Sequence, residues 1–267
     1  MASTANVRPA ARAALARGRN ADVLTIRVAI IALVVVVWEL ASASGLFYRD
    51  VVPSLFAIGR ALLAVVANPE FYGHLAVTLL EVAGALAIGG TLGLLVGLAL
   101  GGSRFLAQAF EHYFYYLGPT PKIIFFPIMI MWFGVGPASK VAMGALSCFF
   151  PIVLSVASGM RQIDQVLIRV GRSFKASRWQ TATKIHLPAM RAPILNGVRL
   201  GLGVALIGTL LAETKLSNAG VGYLIMQAYS VFDMPRMYAM LIVLFTLAIG
   251  TNALVGRLAG PAAARRS

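Results

Sequence analysis

The sequence predicts an all-α protein that crosses a membrane several times, and three observations predict it. Of its 267 residues, 59% are hydrophobic and only 12% charged, against roughly 25% charged in an ordinary soluble domain. Mean hydropathy is +0.83, so much of the exterior must face lipid rather than water. The apolar residues also fall into runs of about 20, the length a helix needs to cross a hydrocarbon layer.

Charge supports the same reading. Formal net charge is +14, from 23 basic and 9 acidic residues. The basic residues sit in short segments between apolar runs, which is the positive-inside pattern of a membrane protein beside anionic lipid, not a nucleic-acid surface. The single cysteine, Cys148, lies inside an apolar run. It excludes an internal disulfide and a cysteine-based metal site, and reads as a small buried hydrophobe. No histidine has another at metal-ligand spacing.

Residues 1–23 carry Arg8, Arg12, Arg17 and Arg19 with Asp22 the only acid. They read either as a basic cytoplasmic arm lying on anionic lipid or as a disordered tail. The first span covers 24–45. The apolar stretch 54–66 is too short to cross and suits an interfacial helix. The second span, 74–100, places Gly89, Gly93, Gly97 and Gly101 on one helix face, where another backbone comes close. A third span starts near Phe105 and is interrupted by Gly118-Pro119-Thr120-Pro121. Two prolines remove two backbone donors, so the helix must kink or break there. The fourth span is 141–158, the fifth 193–212 and the sixth 237–258. A polar, glycine-bearing stretch separates the last two.

Six spans with the N-terminus inside gather the basic arm, Arg104, the 161–191 loop and the C-terminal tail 259–267 on the cytoplasmic side. The permeating domain is then 24–258. Its 161–191 loop holds seven basic residues and one acid, Asp164, and is long enough to need a purpose. It reads as a helix, a small-residue turn at Ala176-Ser177, then an amphipathic helix ending at Pro188. Trp179 and Ile185 would pack inward. Such a helix lies on lipid or enters a groove on a partner.

This segment resembles the cytoplasmic "EAA" loop of ABC importer permeases: EAA, three residues, Gly, nine residues, then I-x-L-P. Ile185, Leu187 and Pro188 match. Arg169 and Val170 stand at the Glu and first Ala, Gly171 at the second Ala, and Lys175 at the Gly. The following Ala176-Ser177-Arg178-Trp179-Gln180 is also similar. Pro121-Lys122-Ile123, Trp132 to Gly136, Ser139-Lys140, Asn196 to Gly203, Ala212-Glu213 and Gly220 to Ile225 resemble the branch serving nitrate, sulfonate and taurine. The likeness covers residues 24–258. Glu81 departs from it, because the family usually has a basic residue there.

The resemblance implies a type I importer permease of the bacterial inner membrane, with six transmembrane helices and both termini cytoplasmic. It implies a second permease subunit, identical or different, two ATP-binding subunits and an extracytoplasmic substrate-binding protein. The residues from Arg169 to Pro188 would couple it to the ATPase, and the cargo would be a small anion such as a sulfonate, nitrate or aromatic acid. The chain has no G-x-x-x-x-G-K-[ST] phosphate loop, so ATP and Mg would be bound by the partner subunits and this chain would be no enzyme.

Candidate pathway residues are Thr120, Pro121, Lys122 and Glu213. An ionisable group at membrane depth usually faces the interior or a wet path. Lys122 would attract an anionic solute or pair with Glu213 or Glu111. Glu213 would line a gate or meet water. Glu39 and Glu81 would satisfy helix–helix hydrogen bonds, and Arg199 would pair or snorkel.

Two rival classes remain. An ion-gradient-driven secondary transporter would explain the spans but not the basic loop, and would carry inverted repeats. An intramembrane hydrolase needs a nucleophile and base, and Ser155 and Ser158 have neither a histidine nearby nor a G-x-S-x-G setting.

Overall fold

Helices follow the apolar runs in the computed structural model, which describes residues 9–47 and 51–258. Arg8, Arg49, Asp50, Arg265 and Arg266 lie outside the described residues. α1 (Pro9–Ala43) carries the first run, and its backbone is already helical through much of the basic arm. α2 (Leu55–Ala67) is the short apolar helix, and α3 (Pro69–Gly102) the second span. α4 (Arg104–Leu117), a 3-10 turn at Lys122–Phe125 and α5 (Phe126–Phe133) share the interrupted segment. α6 (Pro137–Arg161) follows.

The basic loop folds as α7 (Gln165–Ser173), α8 (Arg178–Thr181) and a π turn at Ala182–His186. α9 (Leu187–Lys215), α10 (Val221–Ser230) and α11 (Met234–Leu258) complete the chain. Among the described residues, five helices are long and apolar enough to cross a membrane, or six if the bent α4–α5 pair is one span.

The core is the trio α3, α6 and α9, with Ala85, Cys148, Val156 and Ala205 fully buried between them. The glycine face of α3 explains the closeness. A Cβ on Gly89 would stand 2.6 Å from Cys148 Sγ, one on Gly93 3.0 Å from Ile152, and one on Gly97 2.7 Å from Val156 Cβ. Gly101 sits on Met160 in the same way. Each four-residue step along α3 thus meets a four-residue step along α6, so the two helices run parallel. α9 runs antiparallel to α6, since Gly159 meets Pro193 while Gly208 meets Ser147. Where lipid gives no hydrophobic drive, such close backbone approach supplies the dispersion contact that holds helices together.

Parallel neighbours require the chain between them to return. Gly101 packs beside Met160, yet α6 begins at Pro137, about 35 Å away at 1.5 Å per helical residue. The interrupted segment covers that distance, bending by 92° between α4 and the Lys122–Phe133 piece. The break falls at the expected Gly-Pro-Thr-Pro.

Two local expectations are corrected, those on Pro188 and Glu39. The amphipathic helix does not end at Pro188; α9 runs straight through it. A proline in the first turn of a helix needs no N–H partner, and Leu187 N instead donates to Ala182 O, five residues back. Part of the polar stretch after the fifth span is helical, as α10. Glu39 does not bond another span but accepts from Leu55 N at 2.7 Å, holding the start of α2. Beside it Trp38 donates to Pro53 O at 3.0 Å and meets the Tyr238 ring edge-on at 5.4 Å. Residues 23–37 of α1 are exposed, as a lipid-facing helix is.

Candidate functional site

The α7–α8 hairpin stands at one end of the bundle, beside the C-terminus of α6. Asp164 caps α7, its Oδ1 accepting from Val166 N at 2.8 Å. The far end of α7 closes as a Schellman motif: Ala176 N donates to Gly171 O and Lys175 N to Arg172 O, both at 2.9 Å. The motif needs a left-handed residue, and Lys175 supplies it with φ +51°. Here the family's pattern has glycine, so Lys175 keeps the backbone shape at a steric cost of about 1 kcal/mol. Ser177 and Gln180 then form a capping box for α8. Ser177 Oγ accepts from Gln180 N (3.2 Å), and Gln180 Oε1 accepts from Ser177 N (2.9 Å).

The hairpin is fixed to the bundle by Ile163, Ile168 and Ile185, which pack on the core. Gly171 is buried beneath Ile185, which packs on the α3–α6–α9 core. A small residue is needed there, and glycine at the second Ala position meets that need. Trp179 does not pack inward as expected; it is 76% exposed, with Phe174 at 83% beside it in the chain. Val166, Leu167, Val170 and Leu187 are exposed too. Phe174 continues the helical spacing of Val166, Leu167 and Val170, and at the C-terminal end of α7 it stands on the surface. Arg169, Lys175, Ser177 and Pro188 are exposed, Ala176 is half-buried, and Arg178 opens α8. The structure therefore gathers the predicted coupling residues on one hairpin with an apolar, basic surface.

The four pathway candidates split into two places. Lys122 pairs with neither Glu111 nor Glu213. Its Nζ donates to Gly118 O and to Thr120 O (the latter at 3.2 Å) and lies 5.1 Å over the Phe150 ring. The helix break frees those carbonyls, and a cation at a helix C-terminus satisfies them. Thr120 and Pro121 form the same turn, with Thr120 Oγ1 donating to Tyr116 O at 3.2 Å. Glu111 pairs instead with Arg161 through two bonds of 2.5 and 2.8 Å, clipping α4 to α6.

Glu213 sits at the opposite end of the bundle from the hairpin and does not meet water; it is 1% exposed. Its Oε1 accepts from Thr78 Oγ1 at 2.7 Å and its Oε2 from Gly222 N at 2.6 Å. Thr78 Oγ1 also accepts from Val221 N at 2.8 Å. A carboxylate at the first turn of α10 suits the positive end of that helix. Gly220, with φ +102°, brings the backbone against this carboxylate, where a Cβ would overlap it. Glu81 is buried on the same side of α3 as Thr78, facing Glu213, and its Oε2 has no hydrogen-bond partner. Lys140 is buried within electrostatic reach of both, its Nζ donating to Val135 O and Gly136 O. Nothing local in the sequence marks Lys140 or Thr78 as members of this cluster.

At the same end a cleft of about 720 Å³ opens between α2, α3, α10 and α11, with Arg60, Glu70, His74, Asp233 and Arg236 on its walls. None of the pathway candidates lines it. Arg199, on α9, donates from Nε to Asn252 Oδ1 of α11 at 2.6 Å.

Comparison with known proteins decides what kind of machine this is. The family described as binding-protein-dependent transport system inner membrane component matches residues 89–260. The chain belongs to that family. The permease is similar to SsuC of Bacillus subtilis (strain 168), a protein named for aliphatic sulfonates transport, with 30% identity over 79% of this chain and 77% of that one. It is also similar to TauC of Escherichia coli (strain K12), a taurine transport system permease protein, with 28% identity over 88% and 89% of the two chains. Its fold is that of a solved chain of the MetNI methionine ABC transporter in inward-facing conformation: TM-score 0.58, 17% identity, covering 77% of this chain and 95% of that one. The permease is thus a non-catalytic membrane component of an ABC importer.

Proposed function

We propose that the permease forms, with a second permease subunit, the membrane path of an ATP-driven importer for a small organic anion of the sulfonate class. In this reading the α7–α8 hairpin lies in the cytoplasm with both chain termini, and a separate ATP-hydrolysing subunit docks on it. Two such subunits bind ATP and Mg. An extracytoplasmic binding protein delivers the solute at the other end of the bundle.

One observation carries the reading. The exposed apolar residues Phe174 and Trp179 stand on a hairpin that Gly171 and Ile185 fix to the core, and the hairpin continues into α9. A partner that moves the hairpin would therefore move the helix whose far end holds Glu213. Exposed apolar surface next to basic side chains at a bundle end is a protein-docking surface rather than a stable free one. The sulfonate class rests on the names of SsuC and TauC. Lys122, engaged with backbone carbonyls, is a weak candidate for contacting the cargo, so the binding protein does most of the selecting.

The test is co-purification of the partner ATPase subunit. Ala176→Glu with Leu187→Asp should abolish it while the permease keeps its helical content; retained co-purification would refute the docking surface. Single cysteines at Arg172 and Lys184 should react with an impermeant label only after the membrane is opened. Uptake in vesicles that follows an ion gradient without ATP would favour the secondary-transporter reading instead.

A further inference from the structure

Glu81 and Glu213 are the only carboxyl groups among the described residues that are both buried, at 3% and 1% exposed. Thr78, one helical turn before Glu81 on α3, donates to Glu213 Oε1, so the two carboxyls face each other across the α3–α9 contact. Two ionised carboxylates can only accept hydrogen bonds, and they repel each other, so a buried pair requires a proton.

The surroundings say where it rests. Glu213 accepts at both oxygens, from Thr78 Oγ1 and from Gly222 N, and faces the first turn of α10; donors and dipole together favour the charged form. Glu81 has no such support, and its Oε2 has no partner at all. A bare carbonyl oxygen in an apolar seam costs less than a bare ionised one.

Charge balance points the same way. From α6, Lys140 brings one positive charge. From α3, His74 turns its Nδ1 to Gly220 N (3.1 Å) rather than to the carboxyls. From α9 comes Thr209, whose Oγ1 is buried without a partner. From α10 come the backbone N–H groups of Val221 and Gly222, while Tyr223 stacks on His74. One proton on the carboxyl pair leaves it with a single negative charge, which Lys140 cancels; none or two would leave an uncompensated buried charge, which is strongly disfavoured.

We propose that Glu81 and Glu213 share a single proton, carried on Glu81, and that with Lys140 they form a proton-binding latch fixing the start of α10 to the α3–α6–α9 core. Glu81 donates to Glu213, and Glu213 holds Gly222 N and, through Thr78, Val221 N. The site depends neither on the cargo nor on the docking of an ATPase.

Infrared spectroscopy of the full-length permease in lipid tests it. In neutral buffer the wild-type protein should show the carbonyl stretch of one buried, protonated carboxylic acid that shifts in D2O. Glu81→Gln and Glu213→Gln, close in shape to the native residues, should each remove that band entirely, because the remaining carboxyl then ionises against Lys140. Absence of the band from the wild-type protein overturns the site, a result that needs no variant to fold. Survival of the band in either variant overturns the sharing, since the two groups would then be protonated independently.

Discussion

Gly171 lies directly beneath Ile185: a Cβ on Gly171 would stand 2.7 Å from Ile185 Cδ1. Gly171→Val should therefore displace Ile185 and tilt α7 away from α9, at a cost of about 1–3 kcal/mol for overpacking. Thermal unfolding in detergent measures the loss. Co-purification of the ATPase subunit should fall further than stability does, because the hairpin's angle changes while the bundle remains.

Lys175→Gly should have the opposite effect. The left-handed backbone at φ +51° is free for glycine and costly for lysine, so the variant should gain about 0.5–1 kcal/mol. A fall in the unfolding midpoint would mean that the lysine side chain, not the turn, holds this corner.

The α3–α6 seam predicts a contrast between two glycines. Gly97→Val would drive side-chain atoms into Val156 and Val153 O and should destabilise by at least the 1–3 kcal/mol of an overpacked core. Gly203→Ala, with nothing within 4 Å, should stabilise α9 by about 0.5–1 kcal/mol through helix propensity. The two unfolding midpoints should move in opposite directions.

Thr78→Val keeps shape and removes both a donor to Glu213 and an acceptor for Val221 N. Buried groups left unpaired cost about 1–3 kcal/mol. Hydrogen exchange at the first turn of α10 should rise well before the rest of the protein loosens.

The Arg161–Glu111 pair is bidentate and partly exposed, with side chains 37% and 17% accessible. A double-mutant cycle with Arg161→Gln and Glu111→Gln should give a coupling of about 0.2–1 kcal/mol, weakened by salt. A coupling far above that range would assign the clip more than a surface role.

Local signals carried most of the fold. The four-residue glycine spacing marked the face of α3 that seats on α6, and the Gly-Pro-Thr-Pro break marked the 92° bend, because both depend on neighbours within a turn or two. The polar cluster did not show itself in that way. Thr78 and Glu213 are 135 residues apart in sequence, and no periodicity links them. Pro188 misled for a different reason: a proline fits the first turn of a helix as well as the residue after one, so the residue type alone does not say which. The compact Ala176-Ser177 turn predicts Trp179 inward, yet a residue at the hairpin tip has no core within reach.

The π turn at Ala182–His186 holds one residue more than an α-helical turn would. Each inserted residue rotates what lies beyond it by about 100° around the helix axis. The aromatic tip of the hairpin is therefore aimed sideways from the direction in which an uninterrupted α9 would have carried it. The compass bearing at which any protein approaches this corner is set a few residues below the aromatic tip, by a stretch that Ile185 anchors against Gly171 and the core.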